Sequence, residues 1–271
     1  MKLPEKQDGG YIKHKRKGIH YKDEGEGTTL VLLHGYLESI EIWKGFSESL
    51  TEHFRVIRVD LPGHGMSELL AEVQTMKESA RALKALADHL ELKKFFLLGH
   101  SLGGYVTLSF LDSFPEYLTG FCLFHSHPLA DTQQTIEKRE KEIGFVQSGR
   151  KDFLYNVNIP NAFANDNLDR YNEEIEFAKK IARNTSDEGI IATLKGMMIR
   201  KNYVDLLANT NIPFLWILGK KDNYIPFTEI QTKVKMPVRG KLLTLKNSGH
   251  QGFMEEKQNV VKYLLAFVNR L

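Results

Sequence analysis

Short apolar runs and longer stretches with apolar residues at helical spacing alternate along most of this chain. Thr29–Leu33, Val56–Val59, Phe95–Leu98, Phe121–Phe124, Phe214–Leu218 and Lys241–Leu245 read as strands. Runs such as Phe95–Leu98, with no polar residue on either face, suit strands buried on both sides. Between them Ile42, Trp43, Phe46 and Leu50 recur at helical spacing, as do Met76, Ala80, Leu83, Ala87 and Leu90. Tyr105, Val106, Leu108, Phe110 and Leu111 predict a buried helix, and Val260, Leu264, Val268 and Leu271 close the chain on an amphipathic one. Near the start, Tyr11–Lys15 and Ile19–Lys22 predict a hairpin around Lys17-Gly18. Repeated strand–helix alternation predicts an α/β protein with a doubly wound, mostly parallel sheet covered on both faces.

The alternation stops after Pro128 and resumes near Pro213. The stretch between is helical in pattern, rich in large apolar residues, and carries a charged run, Glu137–Glu142, that reads as a solvated helix face. This divides the chain into a core, 1–128 and 210–271, and a helical insertion, 129–209.

One stretch carries a chemical signature. Gly99-His100-Ser101-Leu102-Gly103 lies between the buried strand Phe95–Leu98 and the buried helix after it. A serine on so sharp a turn needs neighbours without a Cβ, which Gly99 and Gly103 provide. The turn presents the Ser101 hydroxyl at a helix N-terminus, where backbone N–H groups favour a negative oxygen. A serine is a weak nucleophile until a base takes its proton. Of ten histidines, His250 suits that role best: it follows a strand, sits among glycines and precedes the last helix. Asp222, after Phe214–Leu218, is placed to orient the imidazole, in the chain order Ser, Asp, His. Asp131, after the Phe121–Phe124 strand, is the less favoured acid. His34 and His64, each in a glycine-containing loop, read as loop-shaping residues. His125 and His127 have metal-ligand spacing but lack an evident third ligand. They are expected at the mouth of a pocket, with no metal and no cofactor.

These motifs together resemble the α/β-hydrolase superfamily over about residues 10–128 and 210–271. The resemblance rests on His34-Gly35, Asp60-Leu-Pro-Gly-His-Gly65, the Gly99–Gly104 turn, Asp222 and His250, all in order. It implies a Ser101–His250–Asp222 triad, an oxyanion hole from the backbone N–H groups of Tyr36 and Leu102, and a helical lid at 129–209. It also implies a serine hydrolase, with carboxylic ester hydrolysis the leading expectation. Thioesterase or carbon–carbon bond hydrolase activity, or a small-molecule receptor with slow turnover, are the alternatives. A serine at 101 argues against the aspartate-nucleophile branches. Phe153, Phe163 and Met197, with His125 and His127, are the expected pocket residues, suited to a small-molecule substrate with an apolar acyl or alcohol group.

Composition narrows the rest. With 37 basic and 34 acidic residues the net charge is only +3, which gives no reason to expect nucleic acid. The single cysteine, Cys122, allows no intramolecular disulfide. The polar segment Met1–Lys17 lacks the apolar centre of a signal peptide, and no stretch is long enough to span a membrane. The expectation is a cytoplasmic protein.

Overall fold

The computed structural model describes residues 9–271. The first eight, part of the segment read above for a signal peptide, lie outside the described residues. Eight strands form one sheet: β1 Gly10–His14, β2 Lys17–Glu24, β3 Thr29–Leu33, β4 Arg55–Val59, β5 Phe95–His100, β6 Leu118–Phe124, β7 Phe214–Gly219 and β8 Gly240–Leu245. Their order across the sheet is β1-β2-β4-β3-β5-β6-β7-β8. The β1–β2 and β2–β4 pairs are antiparallel, and all the others are parallel. Every residue of β5 and of β7 is buried, as strands covered on both faces require.

The helices are α1 Glu48–Thr51, α2 Met76–His89, α3 Leu102–Ser113, α4 Gln133–Gln147, α5 Lys151–Asn161, α6 Asn172–Arg183, α7 Asp187–Met198, α8 Val204–Asn209, α9 Phe227–Lys233, α10 Gly252–Glu255 and α11 Lys257–Val268. Residues 129–209 hold α4–α8 and no strand. This helical segment meets loops at the carboxyl ends of the strands. Gln74 N–H, after β4, donates to Ala192 O, and His250 N–H, after β8, donates to Ala162 O. Among the described residues no helix is long and apolar enough to cross a membrane.

Two local expectations are corrected. The first hairpin turns at Lys15 and Arg16, with φ of 51° and 67°, two residues before the Gly that suggested the turn. Two successive positive φ values match the right-handed twist of paired strands, and the tight pairing His14↔Lys17 imposes them on side chains that do not favour them. The apolar positions from Ile42 to Leu50 do not share one helix. A 3₁₀ turn, Ile40–Trp43, ends before Gly45 at φ 75°, and only α1 follows. Trp43 and Phe46 are nevertheless buried, packed on Phe253 with ring centroids 4.6 and 6.1 Å away.

Candidate active site

Ser101 joins β5 to α3 at φ 48° and ψ −110°. A non-glycine residue there costs about 1–3 kcal/mol and persists only when its surroundings over-determine it. Here Ser101 N–H donates to Phe124 O at 3.0 Å, and Ser126 Oγ donates to Ser101 O at 2.8 Å. The flanking glycines are sterically required. A Cβ on Gly99 would lie 2.2 Å from Gly103 O, and one on Gly103 would lie 2.4 Å from Leu33 O. That second approach presses the loop after β3 against the serine turn. Leu102 opens α3, so its N–H has no carbonyl partner within the helix. Among the described residues neither Leu102 N–H nor Tyr36 N–H finds an acceptor.

His34 staples the loops, as expected of it. Its Nδ1–H donates to Gly35 O at 2.7 Å and its Nε2 accepts from Leu61 N–H at 2.9 Å. His64 is also buried, its ring 5.3 Å from that of His34 and 6.4 Å from that of Tyr36. Burial holds both imidazoles below their ordinary pKa, His64 at about 3.

Asp222 turns back on its own loop. Its Oδ1 accepts from the N–H groups of Tyr224 at 2.8 Å and Ile225 at 3.0 Å, the side-chain-to-backbone turn that Asp favours. Its Oδ2 faces His250 Nδ1 at 2.8 Å and His125 Nδ1 at 3.2 Å. Burial alone would raise the pKa of this carboxyl. The charge available on His250 and the hydrogen bonds from both imidazoles outweigh it and hold the group well below the usual carboxylate range. With Nδ1–H of His250 held by Asp222, Nε2 carries the lone pair of the neutral ring and is free to act as a base.

His125 is not at a pocket mouth, which corrects the expectation for it. It is fully buried behind Asp222, and its Nε2 accepts from Gly252 N–H at 3.2 Å. Its Nδ1 stands 3.2 Å from Asp222 Oδ2 and also receives the Gly219 N–H at 3.2 Å. Burial pushes its pKa down to about 4, so the ring is a neutral prop for the carboxylate. His125, Asp222 and His250 bring ligand-type atoms within 4.8 Å of one another, and their mutual hydrogen bonds account for the grouping. His127 diverges from His125. Its Nδ1 accepts from Leu129 N–H, and Nε2 lies 3.4 Å from the Tyr105 hydroxyl.

The other expected residues separate. Asp131 is bound by Arg139 Nε at 2.7 Å and by Arg200, and it makes no hydrogen bond to His250. Phe153 is 53% exposed with its ring on Phe145, so it faces solvent and not a pocket wall. Met197, on α7, is buried. Phe163 is buried in a stretch that clasps the His250 loop. His250 N–H donates to Ala162 O at 2.6 Å. Glu255 accepts from Ala164 N–H at 2.9 Å on one oxygen and from Gly249 N–H at 2.8 Å on the other. Sequence reading also passed over Glu38, His100 and Gln251, which lie together beneath the serine turn. The available signal was His100 itself, a polar residue completing an otherwise apolar, fully buried strand.

A family model described as the alpha/beta hydrolase fold matches residues 28–257. The structure of a thermophilic esterase from Thermogutta terrifontis, malate bound, is 26% identical and superposes with a TM-score of 0.91 over 97% of this chain and 99% of that one. A pimeloyl-[acyl-carrier protein] methyl ester esterase from Aliivibrio fischeri is 25% identical, across 93% of this chain and 98% of its own length. The dihydrolipoyllysine-residue acetyltransferase component of the acetoin cleaving system of Pseudomonas putida is 29% identical over 90% of this chain, but the match spans only 64% of that relative. With a family match over most of its length, and a sheet, serine turn and strand-end loops arranged as described, this chain belongs to the α/β-hydrolase fold family.

Proposed function

We propose that this protein is a serine hydrolase of carboxylic esters, with Ser101 as nucleophile, His250 as base and Asp222 as its orienting acid. The observation that carries the reading is the Asp222 carboxylate, held by two backbone N–H groups and bonded to His250 Nδ1, in the same strand-end region as the strained Ser101. His250 Nε2 takes the Ser101 hydroxyl proton as Oγ attacks the ester carbonyl carbon. The carbonyl oxygen, now negative, is received by the N–H groups of Tyr36 and Leu102, each such donor being worth about 10²–10³ in rate. Collapse expels the alcohol, which leaves with the proton from His250. Water, deprotonated by His250, then attacks the acyl-enzyme and frees the acid and Ser101. Esterases among the similar proteins support the ester reading.

In this reading residues 129–209 are the lid, and its underside sets which small molecule is accepted. Met197 follows Thr193 by one helical turn on α7, and Thr193 borders a crevice shared with Leu102 and Val106. Met197→Ala is expected to shift the ratio of rates on short and long p-nitrophenyl esters by about tenfold, since a methylene in an apolar pocket is worth roughly 1–3 kcal/mol. The solvent-facing Phe153→Ala should leave that ratio unchanged. A Met197 variant with unaltered preference would remove α7 from the pocket wall.

The direct test of the function is a fluorophosphonate probe followed by peptide mapping. The label is expected on Ser101, with turnover lost in proportion to labelling. Label on another serine, or none, would refute the assignment.

A further inference from the structure

A second charged pair lies beneath the serine turn, unused by the chemistry above. His100, the last residue of β5, is fully buried, and Glu38, in the loop after β3, is 3% exposed. Glu38 Oε2 accepts from Gly35 N–H at 2.5 Å and lies 3.0 Å from His100 Nδ1. Its Oε1 accepts from Gln251 Nε2 at 2.9 Å. The other ring nitrogen of His100, Nε2, is 2.9 Å from the backbone carbonyl oxygen of His250. A carbonyl oxygen only accepts, and so does an ionised carboxylate. Both nitrogens of His100 therefore face acceptors, and only the doubly protonated ring satisfies both. A neutral ring would set a lone pair against Glu38 or against the His250 carbonyl.

We infer that Glu38 and a protonated His100 are positioning residues of this site, their buried ion pair pinning the backbone of His250 to the loop that carries the Tyr36 N–H. The inference rests on the serine-hydrolase reading and adds to it. One pair joins three loops: Gly35 and Glu38 after β3, His100 before Ser101, and His250 and Gln251 after β8. The base and one oxyanion donor are thereby held in register through a single imidazolium. A displacement of about 1 Å between such groups is enough to cost about a hundredfold in rate.

The charged ring is held against its burial by Glu38, the His250 carbonyl and Asp222. His34 faces it from the end of β3, His125 from the end of β6 with ring centroids 6.2 Å apart, and His250 from the loop after β8 at 5.1 Å. Asp222 contributes a second negative charge from the loop after β7. Trp43, Phe124 and Phe253 close the remaining sides with apolar rings. Burial would lower the His100 pKa, but the Glu38 charge and hydrogen bond, with the His250 carbonyl, raise it above the ordinary 6.5. Glu38 is correspondingly held down to about 2. Because the His100 pKa is raised on folding, the stabilisation is fully present below about 6.5. It is lost as the pH rises through the folded-state value.

Two measurements on the full chain test this. The first is ¹⁵N-histidine NMR of the wild type at about pH 6, with the His100 resonances assigned by their loss in His100→Gln. Both ring nitrogens are expected to carry protons; an unprotonated one overturns the inference, whether or not any variant folds. The second is the pH dependence of kcat for wild type and Glu38→Gln on a p-nitrophenyl ester. Without the carboxylate, burial makes His100 lose its proton at lower pH, so the ratio of wild-type to variant kcat should depend on pH, reaching about a hundredfold between the variant's midpoint and the higher wild-type one and falling again above the latter, with KM little changed. A purely structural role would lower kcat by the same factor at every pH, and a flat ratio overturns the inference alone. A wild type that takes no fluorophosphonate at Ser101 overturns the reading beneath it, and the inference with it.

Discussion

Ser101→Ala is expected to lower kcat on its best ester by about 10⁶-fold, the scale at which a triad enzyme loses its nucleophile. Removal of one oxygen should leave the fold untouched. The serine hydroxyl accepts and donates no hydrogen bond among the described residues, whereas its N–H and C=O are both engaged. Alanine keeps the Cβ and so inherits the same conformational cost at φ 48°. The melting temperature should therefore match the wild type, and the whole effect should appear in kcat. The catalysis that remains would come from substrate binding and the two oxyanion donors, about 10³–10⁴ over water. A variant retaining more than about a hundredth of the wild-type rate would show that Ser101 is not the nucleophile.

Asp222→Asn should cost about 10⁴-fold in kcat, for a reason specific to the tautomer. An asparagine still receives the N–H groups of Tyr224 and Ile225 on its carbonyl oxygen, so the loop should persist. Its amide then points an N–H at His250 Nδ1, where the imidazole now donates. His250 is driven to carry its proton on Nε2, the nitrogen that must act as base. Asp131→Asn is the control. Its loss would loosen Arg139 and Arg200, change stability, and lower kcat by less than about tenfold. If Asp131→Asn were the severe variant and Asp222→Asn the mild one, the acid would move to Asp131.

What was legible in the sequence follows from where the physics is local. Of the six core strands beginning at Thr29, β3, β5, β6 and β7 announced themselves because strands covered on both faces must be apolar, whereas β4 carries Arg58 and the edge strand β8 is half exposed. Ser101 was legible because a sharp turn demands glycines within two residues of it. Asp222 and His250 were legible as strand-end residues in glycine-containing loops. Other features are settled by distant neighbours. The Lys15-Arg16 turn is imposed by strand pairing, and the two residues carry no turn signal of their own. Periodicity at Ile42, Trp43 and Phe46 reported burial correctly but not helix, because the path bends at Gly45 while the rings still reach Phe253. His125 and His127 looked like a pair by spacing. The chain bends at His125, at φ 45°, and the two rings take different partners, Asp222 for one and Tyr105 for the other. Glu38 was invisible since its partner His100 is 62 residues away, and nothing local marks a glutamate as buried.

The clasp between the helical segment and the His250 loop sets the boundaries for exchanging specificity between relatives. Residues 162–167 belong to the segment by sequence and to the mounting of the base by hydrogen bonding, through Ala162 O, Ala164 N–H and the Asn167 side chain. A chimera that replaces all of 129–209 keeps the two backbone contacts only where the new chain follows the same path, and it loses the Asn167 amide on Glu255 Oε1 unless asparagine returns at that position. Cassettes that exchange the rest of the insertion and leave 162–167 in place avoid this. On the proposed reading, the exchangeable part of the insertion is thus the insertion without residues 162–167, which travel with the His250 loop.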